Sequence, residues 1–198
     1  TLAGTIHAGD AVAAQAQSDA VLAYAGLVAL TCGTNLSGQD LGGLTLTPGV
    51  YCFDSSAQLT GTLTLDAQGN PNALFVFQIG STLTTASDSS VVVDNGGQGC
   101  IGSNVFWQVG SSATLGTGTQ FVGHILALIS ITVTTGVSVS GSVMALTGAV
   151  TMDTNTISVC GADSGITFPP HGAIKVTGGG QIPVPNPDNA APNATGTG

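Results

Sequence analysis

The sequence predicts a mainly β protein of the β-solenoid class, with one long α-helix packed alongside. A triplet with threonine at its centre, between apolar or small residues, recurs at nearly constant spacing along the chain. Large apolar residues repeat in step with the last of these triplets, and a single helical pattern precedes both repeats. A period of about 19 residues with strand chemistry is typical of a solenoid, in which each repeat forms one coil.

The helical pattern lies between Asp10 and Leu30. Apolar residues recur there at steps of three and four, which places their side chains on one face of a helix. They are Val12, Ala16, Ala20, Ala23, Leu27 and Leu30. Asp10 can cap the start of the helix, and Gly33 follows its end. We therefore expect a helix over about residues 10–31, lying along one wall of the solenoid.

The recurring triplet predicts a column of threonines on a flat outer wall of the solenoid. The six central threonines are Thr45, Thr64, Thr84, Thr114, Thr132 and Thr151. All the steps between them are close to one period, except for a longer step from Thr84 to Thr114. Side chains alternate between the two sides of a strand, so the flanking residues of each triplet point inward. The longer step fits one coil with an inserted loop. The alternative is an ordinary solvated face, since β-branched threonine favours strands in any case.

A second column supports the same number of coils. It consists of Phe77, Trp107, Leu126 and Met144, whose spacing follows the last part of the threonine column, including its one longer step. The repeat stops after Cys160, so we assign residues 1–161 to the solenoid with its helix. Residues 162–198 form an extended arm rich in proline and glycine, in which prolines are acceptable. Four apolar residues of this arm are candidates for pairing with a sheet edge: Ile174, Val176, Ile182 and Val184.

Composition excludes several classes of partner. The chain carries one basic residue, Lys175, against ten aspartates, and its net charge is −9. Binding to nucleic acid or to an anionic membrane surface needs cations that the chain lacks. No apolar run reaches the roughly 18 residues that predict a membrane-spanning helix. The chain does not begin with Met and shows no signal peptide, so we expect a mature fragment of a processed protein.

The four cysteines predict two disulfides and an extracellular or cell-surface location. They lack the CxxC spacing and the clustered histidines of a zinc site. Three pairings are possible, and we favour Cys32–Cys52 with Cys100–Cys160, because each closes a loop across solenoid coils. Four buried free thiols are the alternative.

Catalytic and metal-binding patterns are missing from the sequence. His7, His124 and His171 lie far apart, and no carboxylate pairing or His-x-x-x-His spacing accompanies them. The aspartates lie mostly beside glycine, serine or asparagine, as in turns. We therefore expect no enzyme activity, no catalytic residue, no metal and no cofactor.

Four segments resemble the secreted ice-binding family of microbes. They are residues 4–17 (GTIHAGDAVAAQAQ), 44–53 (LTLTPGVYCF), 75–83 (FVFQIGSTL) and 104–110 (NVFWQVG). The resemblance extends from about Gly4 to Ile157. It implies a discontinuous, right-handed solenoid of triangular cross-section with a long helix alongside, and a flat face that binds ice.

The chain also departs from this family. The strand-forming segment that usually precedes the position of Gly4 is absent, which should leave unpaired strand edges. Arginines that are frequent near the positions of Ser142 and Leu146 are missing, and Ile129 replaces a more usual threonine. The long arm after the solenoid is a further difference.

These features lead to two interpretations of function. The first is a non-catalytic extracellular protein that polymerises with copies of itself into a surface filament, through exchange of the arm as a strand. The alternative is a soluble antifreeze protein whose threonine face binds the surface of ice crystals. Adhesion to a glycan is possible in principle but has no residue signature.

Overall fold

The computed structural model describes residues 5–96 and 103–159. Within these residues one helix is followed by fifteen strands. The helix is α1 (Ala11–Val28). The strands are β1 (Thr34–Asn35), β2 (Thr45–Leu46), β3 (Gly49–Phe53), β4 (Ala57–Leu59), β5 (Thr62–Asp66), β6 (Phe75–Ile79), β7 (Leu83–Thr85), β8 (Ser90–Asp94), β9 (Val105–Val109), β10 (Ala113–Leu115), β11 (Gln120–Ala127), β12 (Ile131–Val133), β13 (Ser138–Ala145), β14 (Val150–Met152) and β15 (Thr156–Ser158).

Parallel pairing arranges the strands into a solenoid with three faces. The helix face consists of β1, β3, β6, β9 and the second halves of β11 and β13. The threonine face consists of β4, β7, β10, β12 and β14. The polar face consists of β2, β5, β8, the first halves of β11 and β13, and β15. The predicted mainly β fold with a single helix is therefore confirmed.

The described coils are stacked in the order of the sequence. On every face the inner strands pair with the strand one coil before and the strand one coil after, whereas the end strands pair with one neighbour. The end strands are β1, β2, β4, β14 and β15. The longer step from Thr84 to Thr114 is a single coil, because these two residues pair directly. The additional residues lie between β8 and β9.

Two glycines let the long strands β11 and β13 turn from the polar face to the helix face. Gly123 and Gly141 are register partners with φ of +116° and +150°. A Cβ atom on Gly141 would lie 2.0 Å from the carbonyl oxygen of Gly123. Only glycine therefore permits the two strands to bend side by side.

The solenoid interior is filled by the inward side chains of all three faces. Tyr51, Phe77 and Trp107 occupy successive coils, and Trp107 is completely buried. The predicted second column is correct for Phe77 and Trp107 but wrong at Leu126. Trp107 pairs with Ile125, one residue before Leu126. Side chains alternate along a strand, so this slip moves Leu126 from the interior to the outer side, where it packs in a second cluster with Leu27.

Helix α1 covers the outer side of the helix face, as predicted. Asp10 caps it by accepting a hydrogen bond from Ala13 N–H at 2.9 Å. Leu27 packs in one cluster with Val76, Phe106 and Leu126, with Met144 partly buried against it. Of the predicted apolar stripe, Ala20 and Leu27 are buried, whereas Val12 is exposed. The first turns of the helix therefore contribute little to the packing.

The predicted disulfide Cys32–Cys52 is present, with 5.9 Å between the two Cα atoms. It joins the segment after α1 to strand β3. Cys100 and Cys160 lie outside the described residues, so their pairing stays a prediction. The arm over residues 162–198, with Ile174, Val176, Ile182 and Val184, also lies outside them, as does His171.

Candidate functional site

Four of the predicted threonines form one column on the threonine face. Thr84 pairs in register with Thr114, Thr114 with Thr132, and Thr132 with Thr151. All four side chains are exposed. Neighbouring strands of a sheet lie about 4.8 Å apart, so the column repeats at that spacing. Gln58 of β4 precedes Thr84 in the same column.

The residues on either side of this column anchor it to the interior. Leu83, Ala113 and Ile131 precede three of the threonines, and each is almost completely buried. Leu115 and Val133 follow two of them and are buried as well. Close-packed interiors allow little displacement of such side chains. The threonines therefore stand on a support with little freedom to move.

Thr45 and Thr64 do not belong to this column, and their predicted place is wrong. Thr45 pairs with Thr64, and Thr64 pairs with Val92, all on the polar face. The same triplet chemistry suits strands on more than one face. The spacing from Thr64 to Thr84 equals about one period by coincidence, because these two residues lie on different faces of the solenoid.

A second row of hydroxyl groups borders the threonine column, and the sequence analysis missed it. Each column threonine is followed three residues later by another exposed serine or threonine. These residues are Ser87, Thr117, Thr135 and Thr154. Backbone bonds stack the turns that carry them: Asp88 N–H donates to Thr117 and Gly118 N–H to Thr135. The repeated Thr-x-x-Thr or Thr-x-x-Ser spacing is the signal that would have found this row.

The two rows differ in their hydrogen bonds. The hydroxyls of Thr84, Thr114, Thr132 and Thr151 have no hydrogen-bond partner among the described residues, so they can bind water. Thr135, in contrast, donates to Asp153 Oδ2 at 2.6 Å. This hydrogen bond and a weaker contribution from the Thr154 hydroxyl lower the pKa of the Asp153 carboxyl. The column is thus uncharged, and the border row includes one carboxylate neighbour.

The other two faces offer less regular surfaces. The helix face is covered by α1. On the polar face, β8 and β11 pair at only one position, Ser90 with Gln120. An indentation of about 190 Å³ lies beside this position, with Gln120, Ser138 and Thr156 in its lining. The threonine face therefore carries the most continuous ladder of small, identical side chains.

The histidines of the described part do not form a reactive site. His124 Nδ1 lies 2.8 Å from Ser142 Oγ, and its ring stacks on Phe106. Burial lowers the pKa of His124, which favours the neutral ring. His7 pairs with Asp10 at 2.7 Å beside the helix start. Over residues 5–96 and 103–159, no three His, Cys, Asp or Glu side chains converge as metal ligands would.

Helix α1, the only helix in the part of the chain that the structure describes, is not long and apolar enough to cross a membrane.

Comparisons with known protein sequences find relatives of a single family. A sequence model of the family described as "Ice-binding-like" matches residues 1–158. An ice-binding protein of Nostoc sp. (strain HG1) is 59% identical over 184 residues, which cover 90% of this chain and 67% of that protein. Ice-binding protein 1 of Shewanella frigidimarina is 38% identical over 149 residues, covering 73% of this chain but 16% of that protein.

Solved structures of similar proteins share the fold. An ice-binding protein of the Antarctic ascomycete Antarctomyces psychrotrophicus aligns with a TM-score of 0.74 at 39% identity, over 78% of this chain and 75% of that one. An ice-binding protein from an Antarctic biological consortium aligns with a TM-score of 0.72 at 44% identity, over 77% and 68%. The family model, the relatives and the solved structures agree, and the chain belongs to the ice-binding-like family.

Proposed function

We propose that this chain binds ice through its threonine face and catalyses no reaction. The observation that carries the proposal is the register of Thr84, Thr114, Thr132 and Thr151, whose exposed hydroxyls lack partners among the described residues. Similar proteins from several microbes are named for ice binding, and this supports the same role here.

The chemistry of threonine suits a surface that must hold ordered water. Each side chain offers one hydroxyl, which can donate and accept hydrogen bonds, and one methyl group beside it. β-Branching restricts χ1, so the hydroxyls in a ladder keep a common direction. Water molecules held at a fixed repeat can then join a growing crystal. An ionic side chain would orient water around itself instead, and the column contains none.

Substitution of two column threonines tests the proposal. Thr114→Tyr with Thr132→Tyr places two bulky rings in the middle of the face, where they would interrupt contact with a flat crystal. We expect loss of thermal hysteresis and of ice-crystal shaping, with an unchanged far-UV spectrum and melting temperature. Thr45→Tyr is the matched control, because Thr45 is an exposed threonine of the polar face. Full activity of the double variant, or equal loss in the control, would move the active surface elsewhere.

The location of the protein follows the same proposal. Disulfides persist mainly in oxidising compartments, and Cys32–Cys52 therefore supports secretion or display at the cell surface. The partner is an ice crystal, with no cofactor.

Assembly into a filament is the weaker proposal. Its residues Ile174, Val176, Ile182 and Val184 lie outside the described part, and the similar proteins are named for ice binding. Electron microscopy of the purified full chain tests it directly. Regular fibres that disappear on deletion of residues 165–198 would favour assembly, whereas uniform single particles would reject it.

A further inference from the structure

Helix α1 has an apolar outer side in addition to the side that packs on the solenoid. Its inner side lies on β6 and β9, where Ala20 and Leu27 are buried. On the opposite side Val21, Leu22 and Val28 are 48%, 55% and 52% exposed. Single apolar residues on a surface need no explanation, whereas a contiguous group of them indicates an interaction surface. The outer side of α1 is such a group.

This outer side is as wide as the apolar stripe that a surface helix normally buries. Successive residues of a helix are rotated by about 100°, so the residues on the outer side cover an arc of about 120°. All of them are exposed, none is charged, and serine is the only polar residue among them. A surface helix usually has one apolar stripe of this width and a charged face opposite to it. We call these residues the outer stripe; they are Ala11, Ala14, Ser18, Val21, Leu22, Ala25 and Val28.

The charge distribution of α1 favours an uncharged partner. Asp19 is the only charged residue between Ala11 and Val28, and it lies outside the outer stripe. Gln15 Nε2 donates to Asp19 Oδ1 at 2.8 Å, which holds this carboxylate beside the stripe. The helix has no basic residue that could bind phosphate groups or an anionic membrane surface. The outer stripe therefore suits another apolar protein surface.

We propose that the outer stripe pairs with the outer stripe of a second copy of this chain, with the two helices antiparallel about a two-fold axis near Val21. The first half of the stripe consists of alanine and serine, whereas the second half carries Val21, Leu22 and Val28. Antiparallel pairing places Ala14 of one copy opposite Val28 of the other, so that small residues meet large ones along the contact. It also places the opposite ends of the two helix dipoles side by side. The stripe is thus complementary to itself.

The area of this contact sets the strength of the dimer. A helix of 18 residues is about 27 Å long. Two such helices in contact bury on the order of 1,000 Å², which is the lower limit for a specific interface. Each copy also carries a net charge of −9, and like charges repel at low ionic strength. The dimer is therefore weak, and salt strengthens it. A two-fold contact is closed, so it adds no third copy. The inference does not depend on ice binding.

Sedimentation equilibrium of the full chain from micromolar to millimolar concentration tests the pairing. We expect a reversible shift from monomer to dimer, with more dimer at high salt than at low salt. Val21→Glu places two carboxylates face to face at the axis and should weaken the dimer by roughly tenfold or more. Glutamate is a good helix former, so the helix should remain intact. Val92→Glu is the matched control, because Val92 is a valine of the polar face with 45% exposure. A monomer at all concentrations, or equal association of Val21→Glu and the unaltered chain, would overturn the proposal.

Disulfide trapping tests the antiparallel direction. Ala14→Cys and Val28→Cys chains are mixed in equal amounts and oxidised mildly, and the linked peptides are identified by mass spectrometry. We expect links between position 14 of one copy and position 28 of the other to exceed links between identical positions. Val92→Cys, mixed with either variant, is the control and should form no comparable link. A majority of links from 14 to 14 and from 28 to 28, or links no more frequent than in the control, would contradict the proposed pairing.

Discussion

The indole ring of Trp107 stacks on the phenyl ring of Phe77 inside the solenoid, with ring centroids 3.9 Å apart and planes inclined by 8°. The stack continues to Tyr51 on one side and to Phe121 on the other, at 5.6 and 4.9 Å. Trp107 Nε1–H donates to the carbonyl of Val122 at 3.0 Å. The inner residues of the threonine face belong to the same core cluster. The aromatic stack and the inner residues of the threonine face are therefore parts of one continuous core.

Trp107→Ala should lower the free energy of unfolding by about 3–5 kcal/mol, the usual loss for a large aromatic residue in a packed core. Urea unfolding followed by circular dichroism measures the change, because the variant lacks the only tryptophan of the chain. Ser55→Ala is the control, since an exposed side chain of a turn should change stability by less than about 0.5 kcal/mol. A loss below about 1 kcal/mol for Trp107→Ala would contradict the role of the stack.

The Cys32–Cys52 disulfide should stabilise the fold without contributing to the threonine face. It closes a separation of 20 residues, for which the chain-entropy model gives about 3 kcal/mol. The double variant Cys32→Ser with Cys52→Ser should therefore melt at a lower temperature. Near 0 °C it should retain its thermal hysteresis, because both residues lie outside the strands that carry the threonine column. Loss of hysteresis in a folded double variant would link the disulfide to the active surface.

Stability should depend on pH through His124. Burial lowers its pKa below the ordinary value of 6.5, so the unfolded chain takes up the proton first as the pH falls. The free energy of unfolding should therefore decrease as the pH falls below about 6.5, and level off below the pKa of the folded state. Urea unfolding at pH 7.5 and pH 5.0 measures this difference. In His124→Gln the difference should shrink; if it is unchanged, another group is responsible.

Much of the fold was predictable because its signals are local or strictly periodic. The start of α1 at Asp10 follows from capping chemistry, and the column from Thr114 to Thr151 follows from two coils of nearly equal length. Cys32–Cys52 was predictable because a separation near one coil brings two residues onto adjacent coils of one face, where Cys52 pairs beside β1.

The errors have one common cause, since a period gives the length of a coil but not the face on which a residue lies. Thr64 has strand chemistry like that of Thr84, and only strand pairing separates the polar face from the threonine face. Leu126 was displaced by one residue, because the coil that starts at Trp107 returns to the same position at Ile125, one residue before the predicted place. A slip of one residue reverses the direction of every side chain in a strand.

The border row should widen the surface that contacts ice, and a last prediction tests this. A single column of threonines contacts a crystal along a line, whereas two parallel rows define a plane and fix the rotation of the protein on it. Thr117 belongs to the border row, three residues after Thr114, and is exposed. Its hydroxyl lies 3.4 Å from that of Thr134, which in turn donates to the Leu115 carbonyl.

Thr117→Tyr should therefore reduce thermal hysteresis clearly, but less than the double substitution in the column, and should alter the shape of the crystals. Thr117→Ser keeps the hydroxyl and removes only a methyl group, so it should retain more activity than Thr117→Tyr. Hysteresis and crystal shape are measured at equal protein concentration, with melting curves to verify folding and Thr45→Tyr as the control. If Thr117→Tyr behaves like the unaltered protein in both measurements, contact with ice is confined to the column of Thr84, Thr114, Thr132 and Thr151.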